Sequence, residues 1–328
     1  MRAPTATLVV EDGLSGVRLA DYLERAWPGA DRKALRRLVR DGQATVNGVA
    51  ATPGQKLRAG DVVLVDADGT PDVSRRRVSE TAFGVADLPV LAETDFALVV
   101  DKPAGLPCVP DRAGRTQGVH GLLAALRPDD DLRIAHRLDR FTSGCLVLAK
   151  GLHGARWIDE QLRARTVRKE YHALVEGVMN DDRVTVTRWL GPDPRRPGKV
   201  IVVKPDAKGA REAITGLEVV ERFKAHTLVR CLPLTGRGHQ IRVHLRAVGH
   251  PIAGDVDYGA SGPVLLSSLK RGFKARKGLT EKPLLAHFFL HAASVEMPAP
   301  DGGAPLRAEA PLPKALATVL AKLRHFSG

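Results

Sequence analysis

Asp139 stands between Arg137 and Arg140 in AHRLDRFTSGCLVLAK, residues 135–150 of a chain with a formal net charge of +13. A carboxylate there has two readings. It neutralises its neighbours at a turn before the apolar run Cys145 to Ala149, or the arginines keep it ionised beside an anionic substrate. Tyr171 lies in RKEYHALVEG, whose alternation places Tyr171, Ala173 and Val175 on one strand face, flanked by Lys169 and Glu170. Taken alone, it fits a core tyrosine as readily as a reactive one. In PLTGRGHQIRVHLRAVGHPIAGD, Ile241, Leu245 and Val248 recur at i, i+4 and i+7, which predicts a helix ended by Gly249. His239, Arg242 and Arg246 share another face of that helix. A buried Arg242 needs a carboxylate partner, and Asp139 is the candidate.

Other chemistries lack their residues. There is no GxxxxGK[ST] loop and no GxSxG elbow, and TGRGHQ lacks the third glycine of a dinucleotide fingerprint. His287 and His291 in HFFLH have the i, i+4 spacing of metal ligands, but no acid or cysteine stands at ligand spacing, so packed histidines are expected. Cys108, Cys145 and Cys231 are odd in number and far apart, which fits neither a disulfide framework nor a metal pair. The opening MRAPTATLVVEDG is not patterned as a signal peptide, and no run of 18 or more apolar residues occurs. A reducing cytoplasm is the expected location, with no membrane association. A pI near 10.0 favours nucleic acid as partner.

Two domains are expected from 328 residues. Residues 1–66 form the smaller one. SGVRLADYLERAWPG predicts a helix stopped by Pro28-Gly29, and RKALRRLVRDG predicts a second helix after Asp31, a suitable N-cap. Arg32, Lys33, Arg36, Arg37 and Arg40 make five of the nine residues from 32 to 40 cationic, none of the nine is acidic, and no i+4 glutamate relieves the repulsion. A phosphate-binding face is expected there, against the plainer reading of a solvated surface. Short strands follow, punctuated by Asn47-Gly48 and Pro53-Gly54. Residues 67–90 lack periodicity and read as a linker. From 91 to 328, FALVVDK, CLVLAK, YHALVEGV, VTVTRWL, KVIVV and AHTLVRCLPL read as strands. Helical pieces separate only some of them, including GVHGLLAALR, ARWIDEQLRAR and a terminal PKALATVLAKLRHF. Adjacent strands without crossover helices predict an α+β domain built on a mainly antiparallel sheet.

Four stretches, VVDKPAGLP, HRLDRFTSGCLVLAK, RKEYHALVEG and PLTGRGHQIRVHLRAVGHPIAGDVDYG, together resemble the RluA family of RNA pseudouridine synthases from about Glu93 to Leu312. Residues 15–66 resemble the small αL-type RNA-binding domain often placed ahead of that catalytic domain. The resemblance implies Asp139 as the catalytic aspartate, Tyr171 as the active-site tyrosine and Arg242 as the cation paired with the aspartate. It implies that Arg137 fills the space left by a flipped nucleotide. His136, Arg140, Thr142, Lys102, Arg237, His239 and Gln240 are then expected to bind substrate. The implied reaction isomerises uridine in structured RNA, ribosomal rather than transfer RNA, after base flipping, with no metal, nucleotide or redox cofactor. Phe141 stands where the family usually has an acid, and Cys145 where it has an aliphatic residue. Lys270, Arg271, Lys274, Arg276, Lys277 and Lys282 make a second candidate RNA contact, with a basic surface loop as the alternative. A non-catalytic RNA-binding or ribosome-assembly protein would keep the fold and lose the triad. A glycosidase would need a second acid; none in the motif segments stands out for that role, with Asp101, Asp255 and Asp257 the remaining candidates.

Overall fold

Apolar residues at helical spacing give α1 (Leu19–Ala26) and α2 (Arg32–Arg40), and the alternating stretches around them give β1 (Ala6–Val9), β2 (Ala44–Val46), β3 (Val49–Ala50) and β4 (Val62–Val65). The computed structural model describes residues 6–10, 15–27, 32–65, 88–109, 118–270, 273, 281–300 and 302–326. They fall into two units, Met1–Ala82 and Phe83–Gly328.

In the first unit the strands form an antiparallel sheet in the order β1-β4-β2-β3. Asn47 (φ 51°) and Gly48 (φ 78°) make the tight turn between β2 and β3, where both residues must enter the left-handed region. Leu35, Leu38 and Val39 of α2 are buried in a core with Leu19, Leu23, Leu57 and Val63. The Lys33, Arg36, Arg37 and Arg40 side chains are exposed. Asp41, just past the helix, lies 3.4 Å from Arg37 at i+4. It partly relieves a repulsion that the sequence reading left unrelieved. Asp31 and the span 67–87, read as N-cap and linker, lie outside the described residues, as do Arg271, Lys274, Arg276 and Lys277.

The second unit contains β5 (Val90–Glu93), β6 (Ala97–Lys102), α3 (Gly118–Leu126), β7 (Leu132–Ile134), β8 (Ser143–Lys150), α4 (Gly151–Ala164), β9 (Arg168–Glu176), β10 (Arg183–Pro192), β11 (Val200–Val202), β12 (Arg211–Arg222) and β13 (His226–Pro233). After these come α5 (Gln240–Ala247), a single 3₁₀ turn (Val256–Tyr258), α6 (Leu266–Leu269), β14 (Leu290–Met297), β15 (Leu306–Glu309) and α7 (Lys314–Phe326). One sheet runs β11-β10-β12-β13-β9-β14-β8-β6-β5, with β15 on β14 and β7 on β8. Every pairing is antiparallel except β14 with β8.

β14 is the hinge of this architecture: a late strand inserted between β8 and β9. It places the start of β8, which follows the Asp139 loop, two strands from β9 with Tyr171. The approach demands glycine at 144. Its φ is +104°, and a Cβ there would sit 2.1 Å from the Ala292 carbonyl oxygen.

Candidate active site

The loop between β7 and β8 carries Asp139 and is fastened from beneath. Lys102, at the end of β6, is fully buried, and its ammonium donates to the carbonyls of Pro103 (3.0 Å), Leu106 (2.8 Å) and Arg140 (3.0 Å). The Leu138 N–H donates to Cys108 Sγ (3.3 Å), the Gly105 N–H to the Arg140 carbonyl (2.8 Å) and Arg140 Nε back to the Gly105 carbonyl (2.8 Å). The Thr142 N–H closes the turn onto the Asp139 carbonyl at 3.0 Å. Apolar and polar ties together leave the Asp139 carboxylate about a quarter exposed.

Opposite it, the whole segment Gln240–Leu245 of α5 is buried. Arg242 is 5% exposed, with its guanidinium carbon 4.3 Å from the Phe288 ring centre and 4.6 Å from that of Tyr258. Asp255 takes it bidentately, accepting from Nε at 2.7 Å and Nη2 at 2.8 Å. Nη1 donates to Asp139 Oδ2 at 3.0 Å. Burial alone would lower the arginine's pKa, but the hydrogen bonds and charges of Asp255 and Asp139 outweigh it and raise it further. Asp257 stands 3.7 Å from Nη2 and also pairs with Lys199.

Tyr171 is buried in β9, in register with Cys231 of β13 and Ala292 of β14, and faces the same cleft. Burial, with the charge of Asp139 added, pushes its phenol pKa up, so the ring carries its proton at neutral pH. The cleft measures about 1020 Å³, at the top of the roughly 300–1,000 Å³ range of ligand pockets. Among the described residues that line it, Asp139 is the one carboxylate, against Arg137, Arg140, Arg163, Arg165, Lys169, Arg237 and Arg242. Burial lowers the pKa of Lys169, and no acid offsets it.

The three residues expected at the centre therefore meet at one cleft. Around them the expectations divide. Arg137, exposed, lines the cleft, and so does Arg237, whose Nε is tied to the Glu212 carbonyl at 3.0 Å. His136 lines it too, its Nε2 accepting the Val147 N–H at 3.1 Å. Thr142 is buried against the Asp139 turn. Lys102 is a correction: its ammonium is spent on three carbonyls, it does not line the cleft, and it supports the loop rather than contacting substrate. Gln240 is another. Its Oε1 accepts from Thr235 Oγ1 (2.8 Å) and the Arg237 N–H (2.9 Å), and its Nε2 donates to the Ile214 carbonyl (3.0 Å) and Thr215 Oγ1 (2.9 Å), so it holds the loop before α5. The flanking arginines are a third: neither Arg137 nor Arg140 pairs with Asp139, whose cation is Arg242. Phe141 stacks on His287 (4.9 Å, 18°) and meets Phe288 edge-on instead of lining the cleft. His291 is packed, with Nδ1 2.9 Å from Ser143 Oγ and Nε2 3.1 Å from the Ala310 carbonyl.

Sequence reasoning missed the role of Asp255. It had been noted as a possible second acid, yet it is the principal partner of Arg242. The signal was its place in the quoted stretch HPIAGDVDYG, shortly after the helix that carries the arginine.

The profile of the RNA pseudouridylate synthase family matches residues 96–247, and that of the S4 domain matches residues 17–63. The Ribosomal large subunit pseudouridine synthase C of Salmonella typhimurium is 37% identical over 95% of this chain and 94% of its own length. The protein of that name from Haemophilus influenzae is 35% identical over 97% and 95%. Among solved structures, Human RNA Pseudouridylate Synthase Domain Containing 4 is similar with a TM-score of 0.55 at 26% identity, covering 72% of this chain and 92% of that one.

Proposed function

Because this chain belongs to the RNA pseudouridylate synthase family, an isomerase acting on RNA, we propose that it converts uridines of large-subunit ribosomal RNA and that Asp139 is its catalytic carboxylate. One observation carries the residue assignment. A part-exposed carboxylate stands at the wall of a cationic cleft, held by an arginine that a second, buried carboxylate has already neutralised. The RNA assignment draws on the relatives' names, on the S4 match and on the seven cations that face that single acid.

The chemistry follows from the geometry. A stacked uridine is out of reach, so it is flipped outward at a cost of a few kcal/mol, which phosphate contacts offset. Arg137, exposed at the cleft, takes the space the base leaves. Cleavage of the N1–C1′ bond builds positive charge on the sugar, and an anionic oxygen beside it stabilises or captures that charge. Whether it attacks C1′ or takes a proton from C2′, Asp139 must be ionised. Arg242 holds its Oδ2 with one N–H, while Asp255 occupies two others, so Oδ1 is left to the substrate. The Tyr171 ring is placed to stack on the freed uracil while it turns and C5 joins C1′.

Mapping pseudouridine in total RNA by carbodiimide-dependent reverse-transcription stops tests the proposal. A large-subunit ribosomal site is expected to vanish on deletion of the gene, to return with the wild-type chain, and to stay absent with Asp139→Ala. Loss of no site would favour a non-catalytic RNA-binding role, and loss only in transfer RNA would overturn the substrate.

A further inference from the structure

Oδ2 of Asp139 belongs to Arg242; Oδ1 faces the Nε2 of His239 across 3.7 Å. That distance is too long for a hydrogen bond, so the imidazole stands at the reacting carboxylate without being spent on it. Its backbone is in the left-handed region (φ 55°, ψ 19°) and its side chain does not cap α5. Only Asn47 and Arg165 share positive φ among the described non-glycine residues. Asn47 sits in an Asn–Gly turn and Arg165 ends α4, places where the left-handed conformation is common. His239, before the first residue of α5, sits in neither kind of place, and a non-glycine residue in this region persists where the surroundings hold it, commonly at functional sites.

The surroundings here are specific. The Tyr258 hydroxyl lies 2.6 Å from His239 Nδ1 and accepts the Val200 N–H at 3.1 Å. Tyr258 is 1% exposed and carries Arg242 against its ring face. The tautomer in which Tyr258 donates to Nδ1 leaves the ring proton on Nε2, where the facing Asp139 carboxylate favours it. Burial lowers the ring's pKa despite the nearby carboxylate, so it is neutral.

We propose that His239 is a further catalytic residue, whose Nε2–H donates a hydrogen bond to the uracil carbonyl oxygen beside the breaking N1–C1′ bond. An atom that Asp139 Oδ1 reaches at C1′ has the base's N1 and O2 within a few ångströms, and Nε2 stands 3.7 Å from that same Oδ1. As the bond breaks, its electron pair remains on the uracil, spread over N1 and the two carbonyl oxygens. A fixed donor beside the reacting carboxylate stabilises that charge as it forms. No proton leaves His239. The ring-bound hydrogen lost from C5 after C5 joins C1′ is matched by one gained at N1, and the carboxylate is regenerated. Tyr258 is the positioning residue, acting through His239. The inference rests on the family's reaction and not on which RNA is modified.

The test uses the full chain acting on total RNA from cells that lack the gene. His239→Gly accepts the left-handed backbone and deletes the ring, and His239→Asn keeps that backbone with an amide donor. Both are expected to retain RNA affinity and KM; kcat falls about 10²- to 10³-fold in His239→Gly, the loss typical of one transition-state donor, and less in His239→Asn, which still offers a donor. Imidazole added to His239→Gly should restore part of kcat and do nothing for Asp139→Ala; Tyr258→Phe should show a smaller loss of kcat. A kcat within threefold of wild type in His239→Gly, a defect confined to RNA binding, or the absence of imidazole rescue would overturn the inference. No pseudouridine formed by the wild type would instead defeat the proposed reaction.

Discussion

Arg242 carries one positive charge at 5% exposure, and two carboxylates divide its donors unequally. Asp255, 1% exposed, holds the guanidinium; Asp139 borrows it. Removing the first leaves a buried cation short of its main partner, a defect of about 3–5 kcal/mol in comparable sites. Asp255→Asn is therefore expected to lower stability by about 3 kcal/mol in urea unfolding and to depress turnover as Arg242 loses its orientation. Asp139→Asn should cost less than about 1 kcal/mol, since Asp255 still compensates the charge, and should abolish pseudouridine formation. A larger stability loss from position 139 than from 255 would refute this division. Lys102 shows the other use of a buried cation. Burial pushes its pKa down to about 8, yet its three N–H groups meet three carbonyls. Lys102→Met strands those acceptors at roughly 1–3 kcal/mol each. Unfolding free energy should fall by about 3 kcal/mol or more, with activity lost through the loosened Asp139 loop. A variant as stable as wild type would mean that water satisfies them.

At the scale of elements, the strands rich in β-branched residues were legible. FALVVDK and CLVLAK became β6 and β8, and the amphipathic stretches became α3, α4, α5 and α7. The longest strand, β12, was not read, because REAITGLEVVER alternates arginine and glutamate against modest apolar residues and has Gly216 at its centre. β14 was hidden as well: LHAASVEM is alanine-rich, and its neighbour HFFLH invites helical spacing. Its parallel partnership with β8 joins residues 148 positions apart, which no local pattern encodes. The site was half legible for the same reason. Asp139, Tyr171 and Arg242 announce themselves by type and motif, whereas the saturation of Lys102 and Gln240 depends on distant carbonyls. α5 also contains His244, fully buried, with neither ring nitrogen partnered. Burial, then the charge of Arg188, pushes its pKa down to about 4 from 6.5. The unfolded chain thus binds this proton first. The stability is complete above about pH 6.5 and declines as pH falls toward 4. His136, pushed down to about 3, acts in the same direction. His244→Met is expected to flatten the decline in Tm between pH 7 and 4.5 in calorimetry, and an unchanged slope would show that the imidazole is hydrated and titrates freely.

In a molecule with a surplus of +13, two cationic surfaces stand out among the described residues. The cleft sets seven cations around one lining acid; with Arg242 held by Asp255 and Arg163 by Asp159, the remaining five still give it a positive potential that favours a polyanion. The α2 face is exposed, and Asp41 is the one acid paired with its Arg37. Phosphate contacts by both surfaces add in free energy, so each should contribute separately to the salt dependence of RNA affinity. Each neutralised phosphate releases counterions and steepens log K against log salt by about 0.7 on single strands and 0.9 on duplex. Arg36→Ala, Arg37→Ala and Arg40→Ala together are expected to weaken binding of ribosomal RNA and to flatten that slope by roughly 2, with the kcat at saturating RNA retained. The shortfall from three full contacts reflects Arg37, already paired with Asp41. Lys169→Met in the cleft should flatten the slope by less than 1 and lower kcat as well, because its phosphate contact lies beside the chemistry. Filter-binding titrations from 50 to 300 mM salt, about a sixfold range across the Debye regime, separate the two surfaces. An identical slope in the triple variant and the wild type would remove α2 from the RNA contact and leave recognition to the cleft alone.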